Sequence, residues 1–107
     1  MSVQAYRAIG VDSYSSAVLC FAPDIATAFY RAVTAGDQAR VDRLLAAFYL
    51  PFVALRDAVP GYAVSLVKAG ARLSGLAVGP VRPPLVDATP EHEARLAEIL
   101  VSGRAVL

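Results

Sequence analysis

Residues 41–59 read VDRLLAAFYLPFVALRDAV, and the apolar side chains in this run recur at steps of three and four residues. The stripe consists of Val41, Leu44, Leu45, Phe48, Phe52, Leu55 and Val59. Because this spacing places the side chains on one face of an α-helix, the run predicts an amphipathic helix with one buried face. Pro51 lacks a backbone N–H, but the stripe continues past it, so we expect this residue to bend the helix rather than end it.

A helix is also predicted immediately before this run. Pro23 suits a first helical position, and Asp24 favours the positive end of the helix. Gly36 is a stop signal, and Asp37 follows as an N-cap for the next helix. Two successive helices are therefore expected between residues 23 and 59.

Two more helices are predicted towards the C-terminus. The first runs from Tyr62 to Ser74, with Gly75 as its stop. We expect its small side chains to permit close helix approach: Ala63, Val67, Gly70 and Ser74. The second opens with Thr89 as N-cap and is expected to end before Gly103. Its predicted buried edge consists of Leu96, Ile99 and Leu100.

The N-terminal residues have a different pattern. Residues 3–9 are predicted to form a helical turn that ends at Gly10, and residues 11–18 a single short strand that runs into a serine-rich loop. A lone strand cannot satisfy its own backbone donors and acceptors, and no second strand is predicted downstream. A strand without a sheet indicates a fragment of a larger fold.

Length and composition limit the classes of protein that the chain can belong to. Its 107 residues suffice for one domain but not for the roughly 250 residues of a complete (β/α)8 barrel. Hydrophobic residues make up 57% of the chain, so some apolar surface is expected to meet another surface. A net charge of +1 gives no electrostatic case for binding nucleic acid or an anionic membrane.

Other sequence signals are absent. No apolar run approaches the roughly 20 residues of a membrane span, and no signal peptide is recognisable. Cys20 is the only cysteine, which excludes an intramolecular disulfide and a cysteine-based zinc cluster, and a reducing cytoplasm is the expected compartment. Asp87, Glu91 and Glu93 are close in sequence rather than convergent, so we interpret them as capping and surface charge and predict neither a metal site nor a cofactor.

Three motifs carry a family resemblance. They are Tyr14-Ser15-Ser16-Ala17-Val18, Gly61-Tyr62-Ala63-Val64-Ser65-Leu66-Val67-Lys68-Ala69-Gly70-Ala71 and Gly79-Pro80-Val81-Arg82-Pro83-Pro84-Leu85. In this order and spacing they resemble the C-terminal stretch of 5-dehydro-4-deoxyglucarate dehydratases. These enzymes are class I lyases of the dihydrodipicolinate synthase and N-acetylneuraminate lyase superfamily. The resemblance extends from about Ala5 to Leu100 and covers roughly the last third of a family member.

The resemblance implies a mainly α fold that is the C-terminal piece of a (β/α)8 TIM barrel and not a complete barrel. Residues 1–107 would form one fragment-like domain, in which 1–21 supply the end of barrel helix 7 and strand 8 and 22–107 the C-terminal helices. Ser15 and Ser16 would then lie at the rim where barrel substrates bind and contact an acidic sugar. Without the family, two serines after a strand are ordinary loop residues.

The resemblance also implies a reaction to which this chain contributes no catalytic residue. Family members form a Schiff base between the substrate and a lysine on the sixth barrel strand, with help from a tyrosine of an earlier strand, and both belong to upstream segments. The only lysine here, Lys68, lies in a predicted helix and is interpreted as a snorkelling or capping residue. Family members typically have an asparagine at the position of Cys20. A thiol cannot replace the donor and acceptor of an amide. We interpret Cys20 as a buried, inert thiol. We expect His92 to be solvated.

Arg82 is the most distinctive charged residue of the proline-rich motif. A guanidinium held between prolines is suited to pair with a carboxylate or a backbone carbonyl. We predict a structural role for Arg82, Pro83 and Gly79, with Arg82 as a clamp between the C-terminal helices and the rest of the molecule; a substrate contact is the alternative.

Two functions remain open at this point. By resemblance the chain is part of a lyase that dehydrates and decarboxylates 5-dehydro-4-deoxyglucarate, a small sugar acid, to 2,5-dioxopentanoate, and it is expected to be inactive alone. The alternative is a non-catalytic helical module that self-associates. A homo-oligomer is expected in either case, because the stripe on residues 41–55 would need a substitute for the missing sheet.

Overall fold

In the computed structural model, which describes Gln4, Ala8, Gly10 and residues 17–107, the chain is mainly helical, and none of these residues lies in a β-strand. A short 3-10 turn, Ala17–Cys20, precedes helix α1, Pro23–Ala35. Helix α2, Gln38–Leu44, continues through a π-helical turn, Leu45–Tyr49, into α3, Leu50–Asp57. Helix α4 spans Tyr62–Leu73, and α5 spans Pro90–Arg104.

The four predicted helical regions are confirmed, together with most of their end signals. Gly36 ends α1 with φ 70°, and the Asp37 N–H donates to the Ala32 carbonyl at 2.9 Å. Asp37 then accepts a hydrogen bond from the Arg40 backbone N–H, which satisfies one free donor of the first turn of α2. Thr89 caps α5 in the same way, by accepting from the His92 backbone N–H at 3.2 Å.

The central helix continues through Pro51, as the sequence predicts. The π-helical turn, Leu45–Tyr49, lies just before this proline. The Leu50 N–H donates to the Leu45 carbonyl, the five-residue spacing of a π turn. Proline has no N–H to donate, and its ring crowds the carbonyl four residues earlier. A wider turn at this place relieves that crowding while the chain stays helical through Asp57.

The apolar stripe of residues 41–59 is buried by the other helices of the same chain. Val41, Leu44 and Phe48 are fully buried, and Phe52 and Leu55 are nearly so. The Phe48 and Phe52 rings stack at a centroid distance of 5.6 Å, and both belong to the core cluster that includes side chains of α1, α4 and α5. The expectation that this stripe would lie exposed without a barrel sheet is therefore wrong.

Gly103 lies inside α5 rather than beyond its end, so the predicted helix end is also wrong. A Cβ at this position would lie 2.9 Å from Phe48 Cβ and 3.0 Å from Ile25 Cδ1. Such distances are shorter than normal side-chain contacts allow. Glycine is required here for close packing of the helix and does not act as a stop signal.

The small-residue face predicted for α4 is only partly correct. Gly70 is buried, but Ala63 and Ser74 are exposed. The buried face consists instead of Tyr62, Ser65, Leu66, Ala69, Gly70 and Ala71. Larger side chains therefore share this face with the small ones, and close approach is confined to the neighbourhood of Gly70.

The predicted N-terminal strand falls mostly outside the described residues. Ala17 and Val18, at its end, lie in the 3-10 turn, so the strand does not extend that far. Gln4 and Ala8 have a helical backbone and Gly10 has φ 99°, in agreement with a helical turn that ends at Gly10.

Candidate functional site

The segment that follows the predicted substrate contacts is anchored on α4. Ser15 and Ser16 lie outside the described residues, and their role stays a prediction. Five residues after Ser16, the Phe21 ring packs against Gly70, and the Phe21 carbonyl accepts a hydrogen bond from Ser74 Oγ at 2.8 Å. These two contacts fix where the chain enters the helical region.

Cys20 is exposed, contrary to the prediction of a buried thiol. The 3-10 turn has only four residues and directs one side chain, Val18, into the core. Leu19 and Cys20 therefore face outwards, and Leu19 is 41% exposed. Because solvent reaches the thiol, burial does not protect it from reaction.

Lys68 has a structural contact, in agreement with its interpretation as a capping lysine. Its Nζ donates a hydrogen bond to the Pro80 carbonyl at 3.0 Å. The residue lies in the second half of α4 and is not deeply buried. A Schiff-base lysine requires a desolvated amine, whereas Lys68 is partly exposed on a helix.

The proline-rich motif runs beside α4 and is held at several points. Val81 is buried, and its N–H donates to Asp87 Oδ1 at 3.1 Å. Ser65, a fully buried serine of α4, donates a hydrogen bond to the Val86 carbonyl. With the Lys68 contact, these bonds hold both ends of the loop against one helix. The peptide bond between Pro83 and Pro84 is cis.

Gly79, Arg82 and Pro83 themselves are exposed. Among the residues that the structure describes, none forms a hydrogen bond or an ion pair with the Arg82 guanidinium. The loop is thus held by Lys68, Ser65, Val81 and Asp87, while the clamp role of Arg82 stays a prediction. Ser65 has a recognisable sequence signal, because it is the one serine on the buried face of α4.

His92 is partly buried and bonded, which corrects the expectation of a solvated imidazole. Its Nδ1 lies 2.7 Å from the hydroxyl oxygen of Tyr62, a buried residue at the start of α4. The same oxygen accepts a hydrogen bond from the Thr89 backbone N–H at 3.0 Å. These bonds join the first turns of α4 and α5, and sequence periodicity did not indicate them.

Two acidic residues of the same region have structural partners. Glu93 pairs with Arg72 of α4 at 2.6 Å, and Asp87 holds the Val81 N–H. No group of three or more metal-ligating side chains occurs among residues 17–107 or the three described residues before them. The interpretation of this acidic cluster as capping and surface charge agrees with these contacts.

No helix among the described residues is both long and apolar enough to cross a membrane.

The helical chain with its proline-rich loop matches one family over nearly its whole length. Residues 2–102 match the Dihydrodipicolinate synthetase family, and the chain belongs to it. The fold of this family is a TIM barrel, and the chain corresponds to a C-terminal part of its members. Family membership and a mainly α, incomplete piece of a barrel were both predicted from the sequence, and both are confirmed.

Individual relatives are similar over the same range. The chain is 63% identical to a probable 5-dehydro-4-deoxyglucarate dehydratase of Streptomyces griseus and 59% identical to a probable 5-dehydro-4-deoxyglucarate dehydratase 1 of Streptomyces avermitilis, in each case over 96% of its length. It is 56% identical to a probable 5-dehydro-4-deoxyglucarate dehydratase of Rhizobium rhizogenes over 95% of its length. The chain spans about a third of each relative: 32%, 33% and 34%, respectively.

Proposed function

We propose that this chain is the C-terminal part of a Schiff-base lyase that converts 5-dehydro-4-deoxyglucarate to 2,5-dioxopentanoate with loss of water and carbon dioxide. The observation that carries the proposal is identity of 56–63% over at least 95% of the chain with probable 5-dehydro-4-deoxyglucarate dehydratases. The barrel portion of the protein would supply the imine-forming lysine. Ser15 and Ser16 would contact the acidic substrate at the end of the last barrel strand.

The chain by itself is proposed to be inactive. Its only lysine is bonded to a loop carbonyl on a helix, where it has neither the strand-end position nor the desolvation that imine formation needs. The proposed compartment is the cytoplasm, in line with a single, exposed cysteine.

A full-length chimera tests the proposed activity. The first two-thirds of the Streptomyces griseus relative would be joined to this chain in place of its own matching third. We expect the chimera to release carbon dioxide from 5-dehydro-4-deoxyglucarate and to be trapped by borohydride on a lysine of the upstream part. The 107-residue chain should show neither result. Lys68→Arg is the control, and it should leave trapping unchanged; adduct formation at Lys68 would refute the proposal.

Self-association is the second candidate, and exposed apolar side chains favour it. Leu50 is 57% exposed and Val101 is 70% exposed, although the core is closed without them. A second copy that covers such side chains would remove apolar surface from water, which stabilises the contact by about 25 cal/mol per Å². Sedimentation equilibrium at low micromolar concentration tests this. A dimer that Val101→Asp dissociates would support the module, and a monomer of the unaltered chain would refute it.

A further inference from the structure

The proline-rich loop presents an apolar surface that the chain does not use itself. Leu85 is 36% exposed, and Val86, which follows it, is 66% exposed. Val64 of α4 is 46% exposed and lies four residues before Lys68, hence on the same side of the helix. Because Lys68 reaches the Pro80 carbonyl, Val64 lies on the side that the loop follows.

The loop is held firmly, although the core does not need its exposed side chains. Pro80, Val81 and Val86 are fixed through backbone groups by Lys68, Asp87 and Ser65. The Leu85 side chain lies close to Gly61, where a Cβ would be 3.2 Å from Leu85 Cδ2. Because the loop is fixed through its backbone, it presents Arg82, Leu85 and Val86 in one arrangement. Binding of a partner therefore costs less conformational entropy of the loop.

Arg82 adds a charged group to this surface, which needs a hydrogen-bond acceptor on the surface that covers it. Its guanidinium has no hydrogen-bond or ion-pair partner among residues 17–107, and it lies within four residues of Leu85 and Val86. A guanidinium next to apolar side chains is a typical anchor of a protein interface, where it pairs with a carboxylate or with backbone carbonyls. The complementary surface therefore carries an oxygen acceptor surrounded by apolar groups.

We propose that this surface, Val64, Arg82, Leu85 and Val86, is where the helical chain docks on the barrel portion that its relatives carry upstream. The inference rests on the proposed function, since it assumes that this portion belongs to the same protein. The relatives are about three times as long as the chain, so roughly two-thirds of each is available to cover the surface. The helical core is closed on itself, so this covering contact is separate from the contacts that hold the helices together.

Cysteine accessibility in the chimera described above tests the docking surface. Val86→Cys would be introduced in a Cys20→Ser background, both in the 107-residue chain and in the chimera, and labelled with a maleimide. We expect labelling to be at least tenfold slower in the chimera. Val101→Cys is the control, because Val101 is equally exposed but lies in the C-terminal half of α5; its rate should differ by less than twofold between the two proteins.

A second pair of variants tests the role of Arg82. Arg82→Ala should speed the labelling of Val86→Cys in the chimera by about fivefold and leave the rate in the isolated chain unchanged. Arg43→Ala, which removes an exposed arginine of α2, should change neither rate. If Arg82→Ala leaves the labelling rate of Val86→Cys in the chimera unchanged, the role of Arg82 as an anchor is refuted.

Three outcomes would overturn the docking proposal: equal labelling in both proteins, slowing common to Val86→Cys and Val101→Cys, or protection of the isolated chain that grows with its concentration. The last would identify a second copy as the occupant. Enzyme activity is measured separately. An inactive chimera with a protected Val86→Cys contradicts only the proposed function, and an active chimera with an accessible one contradicts only the docking surface.

Discussion

Gly70 of α4 lies directly against the ring of Phe21: a Cβ at Gly70 would be 2.5 Å from Phe21 Cγ and 3.0 Å from Phe21 Cβ. These atoms belong to the rigid base of the phenylalanine side chain, so they cannot swing away as the end of a flexible side chain can. The contact joins the entry of the chain into the helical region to the middle of the fold.

Gly70→Ala is expected to destabilise the protein by about 1–3 kcal/mol through overpacking, even though alanine favours a helix by about 1 kcal/mol. Urea denaturation followed by circular dichroism measures the change. Gly79→Ala is the matched control, since a Cβ at Gly79 meets nothing within 4 Å, and it should shift the free energy of unfolding by less than about 0.5 kcal/mol. Equal effects of the two substitutions would contradict the close contact.

Tyr62→Phe is expected to lower the free energy of unfolding by about 1–3 kcal/mol. The substitution keeps the ring but removes the oxygen that bonds the Thr89 N–H and His92 Nδ1, so the backbone donor loses its partner. Amide hydrogen exchange at Thr89 should become faster in the same variant. An unchanged exchange rate at Thr89 would show that the hydroxyl does not hold this N–H in solution.

The Arg72–Glu93 ion pair is expected to contribute a coupling energy of about 0.5–1 kcal/mol in a double-mutant cycle with alanine. Its side chains are 31% and 33% exposed, so solvent limits the gain. The Arg95–Glu98 pair, with side chains 54% and 71% exposed, is the control and should couple more weakly. Both coupling energies should fall in 1 M salt. A stronger coupling for the exposed pair would contradict the role of burial.

Local patterns in the sequence were sufficient to predict the helices, because each helix has its own periodicity and its own caps. Pro23, Gly36, Asp37 and Thr89 act where the pattern places them. Gly103 was misjudged because a glycine near a helix end is compatible both with a stop signal and with close packing. Only the position of Phe48 on another helix distinguishes the two.

Contacts between distant segments explain why the site was only partly predictable. The Tyr62–His92 bond and the Ser65 bond to the Val86 carbonyl join residues 30 and 21 positions apart, and no periodicity relates such pairs. Burial of Cys20 was predicted because free cysteines are usually buried, but the four-residue turn directs Val18 inwards in its place. Family membership, by contrast, depends on motifs read along the chain, and these were sufficient.

The last prediction concerns Ser15 and Ser16 in the full-length chimera. If their hydroxyls bind the acidic substrate, replacing either with alanine removes a hydrogen bond worth about 0.5–1.5 kcal/mol, or more where the partner is a carboxylate. The ratio kcat/KM for 5-dehydro-4-deoxyglucarate should then fall roughly 2- to 13-fold for each replacement. Ser102→Ala, an exposed serine on α5, is the control and should leave kinetics unchanged. Since the proposed contact is to substrate rather than to the core, the melting temperature of each variant should stay within about 1–2 °C of the chimera. Unaltered kcat/KM in both serine variants would exclude them as substrate contacts, and a parallel loss of stability and activity would assign them a structural role instead.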